Sequence, residues 1–298
     1  MVFTLWDNVA QVTQKAITVG ALETLNTSVR TQQDGELTFH IHILKNLKNK
    51  PRLEPTDTNS QRQPDTDPFL PHEQALFVSQ VGDTHKCLLN KYNVLNDHIL
   101  LVTQAFEEQS NVLNQADFNA LQQCLCAAPA LAFYNSGQTA GASQRHKHLQ
   151  LVKLPDQPEQ LIAFYPQLSA LHDEVPRALA DLPFRHAALA LPPNLFAAEH
   201  MYNNDNATQL KQLYDRLRMT LGIEKKEDKV SSDYNLLITP DWMLMIPRSE
   251  ECFAGLSLNA LAFSGSILVK SEAQAQQVID AGLANALTAV SSTRHGSD

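Results

Sequence analysis

Apolar residues at Trp6, Val9, Val12, Ile17, Leu22 and Leu25 recur at roughly helical spacing, which predicts an amphipathic helix from Thr4 to about Arg30. The period then changes. From Leu37 to Leu44, residues Leu37, Phe39, Ile41 and Ile43 face one way and His40 and His42 the other, the two-residue alternation of a half-buried strand. No carboxylate or third histidine lies close in sequence to His40 and His42, so they read as structural or solvent-facing and not as a metal pair. Glu54 to Asp67 contains no apolar residue and reads as a loop, a linker or a lid, that cannot offset its own ordering entropy. Short strands are predicted over Ala75 to Val81, His85 to Asn90 and His98 to Thr103, then a helix near Asp117 to Ala128. Phe133 to Asn135 and Lys147 to Lys153 read as strands around a polar, glycine-containing loop.

In the second half a strand is expected near His186 to Leu191 and a helix from about Ala207 to Leu221. Leu210, Leu213, Tyr214 and Leu217 share one face of that helix, and Gly222 stands where a left-handed terminating residue is wanted. Tyr234 to Thr239 and Trp242 to Ile246 flank Pro240-Asp241 as a hairpin, with Trp242 expected in the core. Ala260 to Lys270 reads as a strand, and Ser271-Glu272-Ala273-Gln274 as a capping box opening a further helix. Hairpin-linked strands with helices between groups of them, and no βαβ series with a glycine fingerprint, point to an α+β fold with a largely antiparallel sheet and flanking helices.

Composition narrows the function classes. With 298 residues and 43% hydrophobic content the chain can bury a substantial core, and a formal charge of −9 argues against a surface built for nucleic acid or anionic membrane. Apolar runs such as Ala127 to Phe133 fall far short of the roughly 18 to 20 residues a membrane helix needs. Met1 to Asp7 has no signal-peptide pattern, so a soluble, cytoplasmic protein is expected. Cys87, Cys124, Cys126 and Cys252 are too sparse for a disulfide framework, and Cys124-Leu125-Cys126 lacks the second pair of a zinc site; buried thiols are expected.

The chemistry concentrates between Asn135 and Leu151. A strand through His146, His148 and Gln150 would set these three polar groups on one face at steps of about 6.6 Å, with Leu149 and Leu151 turned into the core. The preceding loop has Gly137, Gly141, Ala142 and Ser143, small residues that let backbone N–H groups approach an anion, and Ser143 and Gln144 can donate further bonds. A neutral imidazole beside such a cradle is a competent nucleophile toward phosphorus if one ring nitrogen is held by a backbone carbonyl and the other lone pair is left free.

At these residues the sequence resembles the transferase branch of the histidine-triad superfamily, with its His-x-His-x-Gln motif, and in particular the ATP adenylyltransferases, also called diadenosine tetraphosphate phosphorylases. The resemblance extends over Asp67-Pro-Phe-Leu-Pro71, Leu88 to Thr103, Phe133 to Gly137, Gly141 to Gln150, Tyr234 to Leu237, Pro247 to Ser249 and Leu268 to Lys270. It implies a histidine-triad-like fold, with 1–180 as a nucleotidyltransferase domain and 181–298 as a region completing the sheet and the substrate site. It implies His148 as nucleophile beside His146, with Gln150 supporting the intermediate, and substrate contacts from Lys50, Asn90, Lys91, Asn135, Gly141, Ala142, Ser143, Gln144, Asn259, Ser266 and Lys270. Asn93 departs from the family pattern, which usually has proline there, and is expected to alter the turn more than the chemistry. Lys270 also fits an ordinary surface lysine, and Arg145, Lys147 and Arg248 read equally well as solvated or as substrate-facing.

The implied reaction is reversible phosphorolysis of diadenosine tetraphosphate to ATP and ADP through an adenylyl-histidine. Mg2+ would travel with the polyphosphate, no metal being bound by the protein itself, and the partners would be the dinucleotide, ATP, ADP and phosphate. Two alternatives use the same residues: a sugar-1-phosphate uridylyltransferase-like enzyme, which usually carries an extra Cys/His metal site, and a nucleotide-binding sensor without turnover.

Overall fold

The computed structural model describes residues 4–45 and 67–292. The first helix is shorter than its apolar periodicity suggests: α1 (Leu5–Thr18) opens on a Thr4/Asp7 capping box and stops just before Gly20, whose φ of 71° is left-handed. The β-branched residues Thr27, Val29 and Thr31 lie instead in a strand, β1 (Thr27–Asp34), which turns at Gly35 onto β2 (Leu37–Leu44). The chain continues with β3 (Phe77–Val81), β4 (His85–Leu89), β5 (His98–Thr103), α2 (Gln115–Ala127), β6 (Ala130–Asn135), β7 (His148–Lys153), α3 (Tyr165–Ser169), β8 (Ala187–Ala190) and α4 (Asn204–Thr220). A two-residue pair, β9 (Lys225–Lys226) and β10 (Lys229–Val230), precedes the expected hairpin of β11 (Tyr234–Ile238) and β12 (Trp242–Pro247). A second short pair, β13 (Cys252–Phe253) and β14 (Leu256–Ser257), follows.

The stretch from Ala260 to Lys270 is not one strand. Asn259 caps a short helix, α5 (Ala260–Ser264), which Gly265 ends with a left-handed φ of 106°, and only then comes β15 (Ser266–Val269). Ser271 caps α6 (Glu272–Ala281), and α7 (Leu283–Val290) closes the described chain.

Eight strands form one antiparallel sheet in the order β3-β4-β5-β7-β6-β11-β12-β8, so strands from before and after residue 180 share it. A smaller sheet, β1-β2-β15, joins β15 parallel to β2. Alternation along the strands sends Ile99, Leu101, Leu149 and Leu151 to one face, against α1, α2 and α4. The opposite face carries two separate apolar clusters. One contains Leu131, Phe133, Val152, Leu237 and Leu244 and packs against the small sheet and α5 to α7. The other is Phe69 with Leu88, Leu100 and Val102. His148 and Gln150 emerge on this face, on the strand that runs between the two clusters. Trp242 is fully buried, as expected, and Cys87, Cys124 and Cys126 are buried free thiols, with Cys252 half-buried. Among the described residues no helix is long and apolar enough to cross a membrane.

Candidate active site on the His148 strand

His148 opens β7 and is 5% exposed. Its Nδ1–H donates to the carbonyl of His146 at 2.8 Å, which leaves the Nε2 lone pair free. Burial, reinforced by the neighbouring His146 and partly opposed by that backbone bond, lowers its pKa to about 4, so the ring is neutral at pH 7. His146, just before the strand, differs. Its Nδ1 faces the Asp67 carboxylate at 2.7 Å and its Nε2 faces the Thr103 carbonyl and hydroxyl, both at 2.9 Å, so neither nitrogen is available for attack. The two histidines share a wall: the Phe69 ring lies 5.7 Å from His146 and 5.4 Å from His148. Lys86 holds that wall by donating to the Phe69 carbonyl at 2.7 Å.

Gln150 accepts at Oε1 from His98 Nε2 at 2.9 Å. His98 is 7% exposed, and its pKa is likewise lowered to about 4, chiefly by burial. The Asn90 amide donates to His98 Nδ1 at 3.2 Å. Gln109 Nε2 bridges the carbonyls of Asn135 and His148 at 2.8 and 3.1 Å, and its Oε1 accepts the His148 N–H at 2.8 Å. The backbones of Asn135 and His148 are thereby tied together across the seam between β6 and β7.

The loop before the strand is shaped by glycine where the backbone requires it. Gly137 has φ of 131° and approaches the Asp233 carboxylate so closely that a Cβ would lie 2.5 Å from Oδ1. Gly141 has φ of 82°, and a Cβ there would lie 2.9 Å from the Leu258 carbonyl. The Thr139 N–H donates to Asp233, whose burial nevertheless raises its pKa. The N–H groups of Gly141 and Ala142 are spent inside the loop, on Gln138 and Gly137. Those of Ser143 and Gln144 make no hydrogen bond among the described residues, so the donors offered to an anion come from the end of the cradle nearest the histidines.

The remaining expected site residues divide by position. Asn259 borders Gly141, while its Oδ1 caps α5. Lys91 pairs with Glu73 at 2.9 Å and Glu23 at 3.7 Å, and the Glu73 bond raises its pKa. Ser266 and Lys270 lie on and just after β15 in the smaller sheet, and among the described residues no hydrogen bond or ion pair links them to the His148 row. Lys50 lies outside the described residues.

Neither Lys147 nor Arg248 is solvated. Lys147 is fully buried between Asp117 at 2.6 Å and Glu107 at 3.0 Å, and His85 contacts the same Asp117 at 3.0 Å. Arg248 is 2% exposed and donates to Asn235 and to the carbonyls of Leu258, Glu250, Glu251 and Val290. Residues not singled out from sequence are Asp67, His98, Gln109 and Asn235. Asp67, His98 and Asn235 stood inside quoted motifs; the contacts of His98 and Asn235 follow from strand register, and that of Asp67 from a loop contact with His146, none of them from local pattern.

Two family models match the chain: the Ap4A phosphorylase N-terminal domain over residues 2–168 and the ATP adenylyltransferase C-terminal domain over residues 180–293. The chain is 28% identical over 253 residues to diadenosine 5',5'''-P1,P4-tetraphosphate phosphorylase 2 of Saccharomyces cerevisiae, covering 76% of either protein. It is 26% identical over 224 residues to Protein APA1 of the same yeast, covering 68% of either. The crystal structure of yeast Ap4A phosphorylase Apa2 in complex with AMP shares its fold, with a TM-score of 0.78, 24% identity and coverage of 99% of this chain and 100% of that one. The same yeast protein in complex with Ap4A gives a TM-score of 0.78 at 23% identity, covering 98% of both chains.

Proposed function

The chain belongs to the Ap4A phosphorylase family, and from that premise we propose that it is an ATP adenylyltransferase that splits diadenosine tetraphosphate with phosphate into ATP and ADP, reversibly. The observation that carries the mechanism is the state of His148: a buried, neutral imidazole with Nδ1–H tied to a backbone carbonyl and Nε2 open. Nε2 attacks the phosphorus bearing one adenosine. The bond to the next bridging oxygen breaks, ATP departs, and an adenylyl group remains on Nε2. The positive charge that develops on the ring is stabilised by the His146 carbonyl on Nδ1–H and by the phosphoryl oxygens.

Gln150 donates hydrogen bonds but cannot titrate, which suffices because ATP is a good leaving group, a phosphate with a second pKa of about 6. Inorganic phosphate then attacks the adenylyl phosphorus, releases His148 and forms ADP. The unspent N–H groups of Ser143 and Gln144 and the amide of Asn135 are assigned to the phosphoryl oxygens, and Lys50, Lys91 and Lys270 to the outer polyphosphate. Mg2+ would accompany the polyphosphate substrate as counter-charge; among the described residues no group of three or more His, Cys, Asp or Glu side chains is placed to hold it. The net charge of −9 argues against nucleic acid as a partner, and the buried free thiols suit the reducing cytoplasm.

The test is transfer of label. Protein mixed with dinucleotide labelled at the adenylyl phosphorus should carry acid-labile, base-stable label on His148 and release it as ADP on addition of phosphate. His148→Ala should fold and take no label. Turnover above about a thousandth of wild type in that variant would remove His148 as nucleophile.

A further inference from the structure

Two amide side chains share the sheet face of His148: Asn135 on the neighbouring strand and Gln150 two residues along the same one. An amide turned oxygen-first repels a phosphate, and turned nitrogen-first attracts it. The Asn135 orientation is settled by groups that can play only one hydrogen-bonding role, and the Gln150 orientation follows from the tautomer of His98.

The backbone N–H of Ala260 can only donate, so the Asn135 atom 2.9 Å from it is the oxygen. Asn235 Nδ2 donates to that same oxygen at 2.8 Å and to the Ala140 carbonyl at 2.9 Å. The Asn235 oxygen is thereby left to accept from Arg248, a guanidinium that again can only donate. The second chain begins at the Tyr92 N–H, which donates to Asn90 Oδ1 at 3.3 Å. Asn90 Nδ2 lies 3.2 Å from His98 Nδ1 and 3.4 Å from Nε2; donating to the nearer nitrogen, it leaves the His98 hydrogen on Nε2, directed at Gln150 Oε1 at 2.9 Å. Both chains run the same way. Each ends on the oxygen of an amide whose nitrogen, Asn135 Nδ2 or Gln150 Nε2, makes no hydrogen bond among the described residues. The first chain starts at a buried cation that no carboxylate contacts within ion-pair distance among the described residues, so its field adds to the alignment.

We propose that His98 and Asn235 are positioning residues for adenylyl transfer: each locks the amide in front of it, so that Gln150 and Asn135 present only N–H donors to the phosphoryl group on His148. The inference rests on the transferase reading above. Without His98 the Gln150 amide is free to turn its oxygen toward the phosphate, and without the Asn235 amide hydrogens the Asn135 oxygen loses one of its two anchors.

Double-mutant cycles on the single-turnover labelling rate test this directly. Asn235→Asp removes no volume and keeps an acceptor for Arg248, but it takes away the hydrogens given to Asn135. It should slow labelling by about 10- to 100-fold, the range set by loss of an oriented donor, while the affinity for AMP stays within about threefold. His98→Phe should do the same through Gln150. In an Asn135→Ala background Asn235→Asp should change the rate by less than about twofold, and likewise His98→Phe in a Gln150→Ala background, because a residue acting only through another has nothing left to act on. Additive losses in the cycles overturn the proposal. If His98→Phe unfolds, the isosteric Asn235 cycle decides alone. Wild-type protein that takes no label from the dinucleotide refutes the transferase reading itself; labelled wild type with additive variants refutes only the positioning.

Discussion

The environment of His148 makes acid tolerance of the first chemical step a sharp prediction. An ordinary imidazole, with a pKa of 6.5, is roughly one-tenth neutral at pH 5.5, whereas one held at about 4 by burial is about 97% neutral. The dinucleotide has no terminal phosphate to titrate in this range, so the labelling rate under kcat/KM conditions should fall by less than about a fifth between pH 7.5 and 5.5. Rapid-quench measurement of histidine-bound label at subsaturating dinucleotide reads this directly. A tenfold fall following a pKa near 6.5 would mean that the nucleophile is solvated and that the burial argument is wrong. Stability moves the other way. His148 and His98 both have folded pKa values lowered from 6.5 to about 4, so below pH 6.5 the unfolded chain binds protons that the folded histidines refuse until about pH 4. Their contribution is complete above pH 6.5, falls as pH drops toward 4 and is level below. By linkage each histidine costs on the order of 1 to 2 kcal/mol at pH 5.5, so denaturant midpoints should drop while the labelling rate of the folded fraction holds.

Other substitutions test the surroundings of the row. Lys147→Met leaves Asp117, 1% exposed, without its closest cation and should destabilise by about 3–5 kcal/mol in denaturant melts; a loss under about 1 kcal/mol would mean the buried charges are not coupled. Gly141→Ala forces a Cβ to 2.9 Å from the Leu258 carbonyl at a left-handed φ of 82°, and should destabilise by about 1–3 kcal/mol and slow labelling at least tenfold. Wild-type labelling in that variant would show that the cradle's shape is irrelevant. Gln150→His introduces an imidazole able to take a proton from water, and should raise the ratio of AMP to ADP formed from the dinucleotide in the presence of phosphate. An unchanged ratio with activity retained would assign acceptor choice to the cradle.

The catalytic row was legible because period-two alternation is a local property: Leu149 and Leu151 lock the register of β7, and His148 and Gln150 follow from it. What alternation withholds is whatever covers each face. Lys147 shares the parity of the core-facing Leu149 and Leu151, and what the pattern does not show is that Asp117 and Glu107 meet its charge there from helix and loop tens of residues away. Arg248 is buried among carbonyls of a segment that no periodicity places there. The run from Ala260 to Lys270 is apolar enough to be helix or strand by composition, and the deciding signals were the cap Asn259 and the stop Gly265. β1 was masked by an apolar spacing that happened to continue past α1, although Asp34-Gly35 marked the turn. His98 reads as one more strand residue until the pairing of β5 with β7 brings its ring to Gln150.

The seam between β6 and β11 has a consequence for synthesis of the chain. Asn135 pairs with Asn235, so strands emerging from the ribosome in sequence order leave β6 without its neighbour for 100 residues. At about 5–20 residues per second that is roughly 5–20 s during which a wholly buried strand, Ala130–Asn135, offers an unpaired edge to any other nascent chain. The parallel pairing of His40 with Ser266 waits longer still. A stalled or truncated product ending before Tyr234 would therefore expose the β6 edge as a seed for edge-to-edge aggregation.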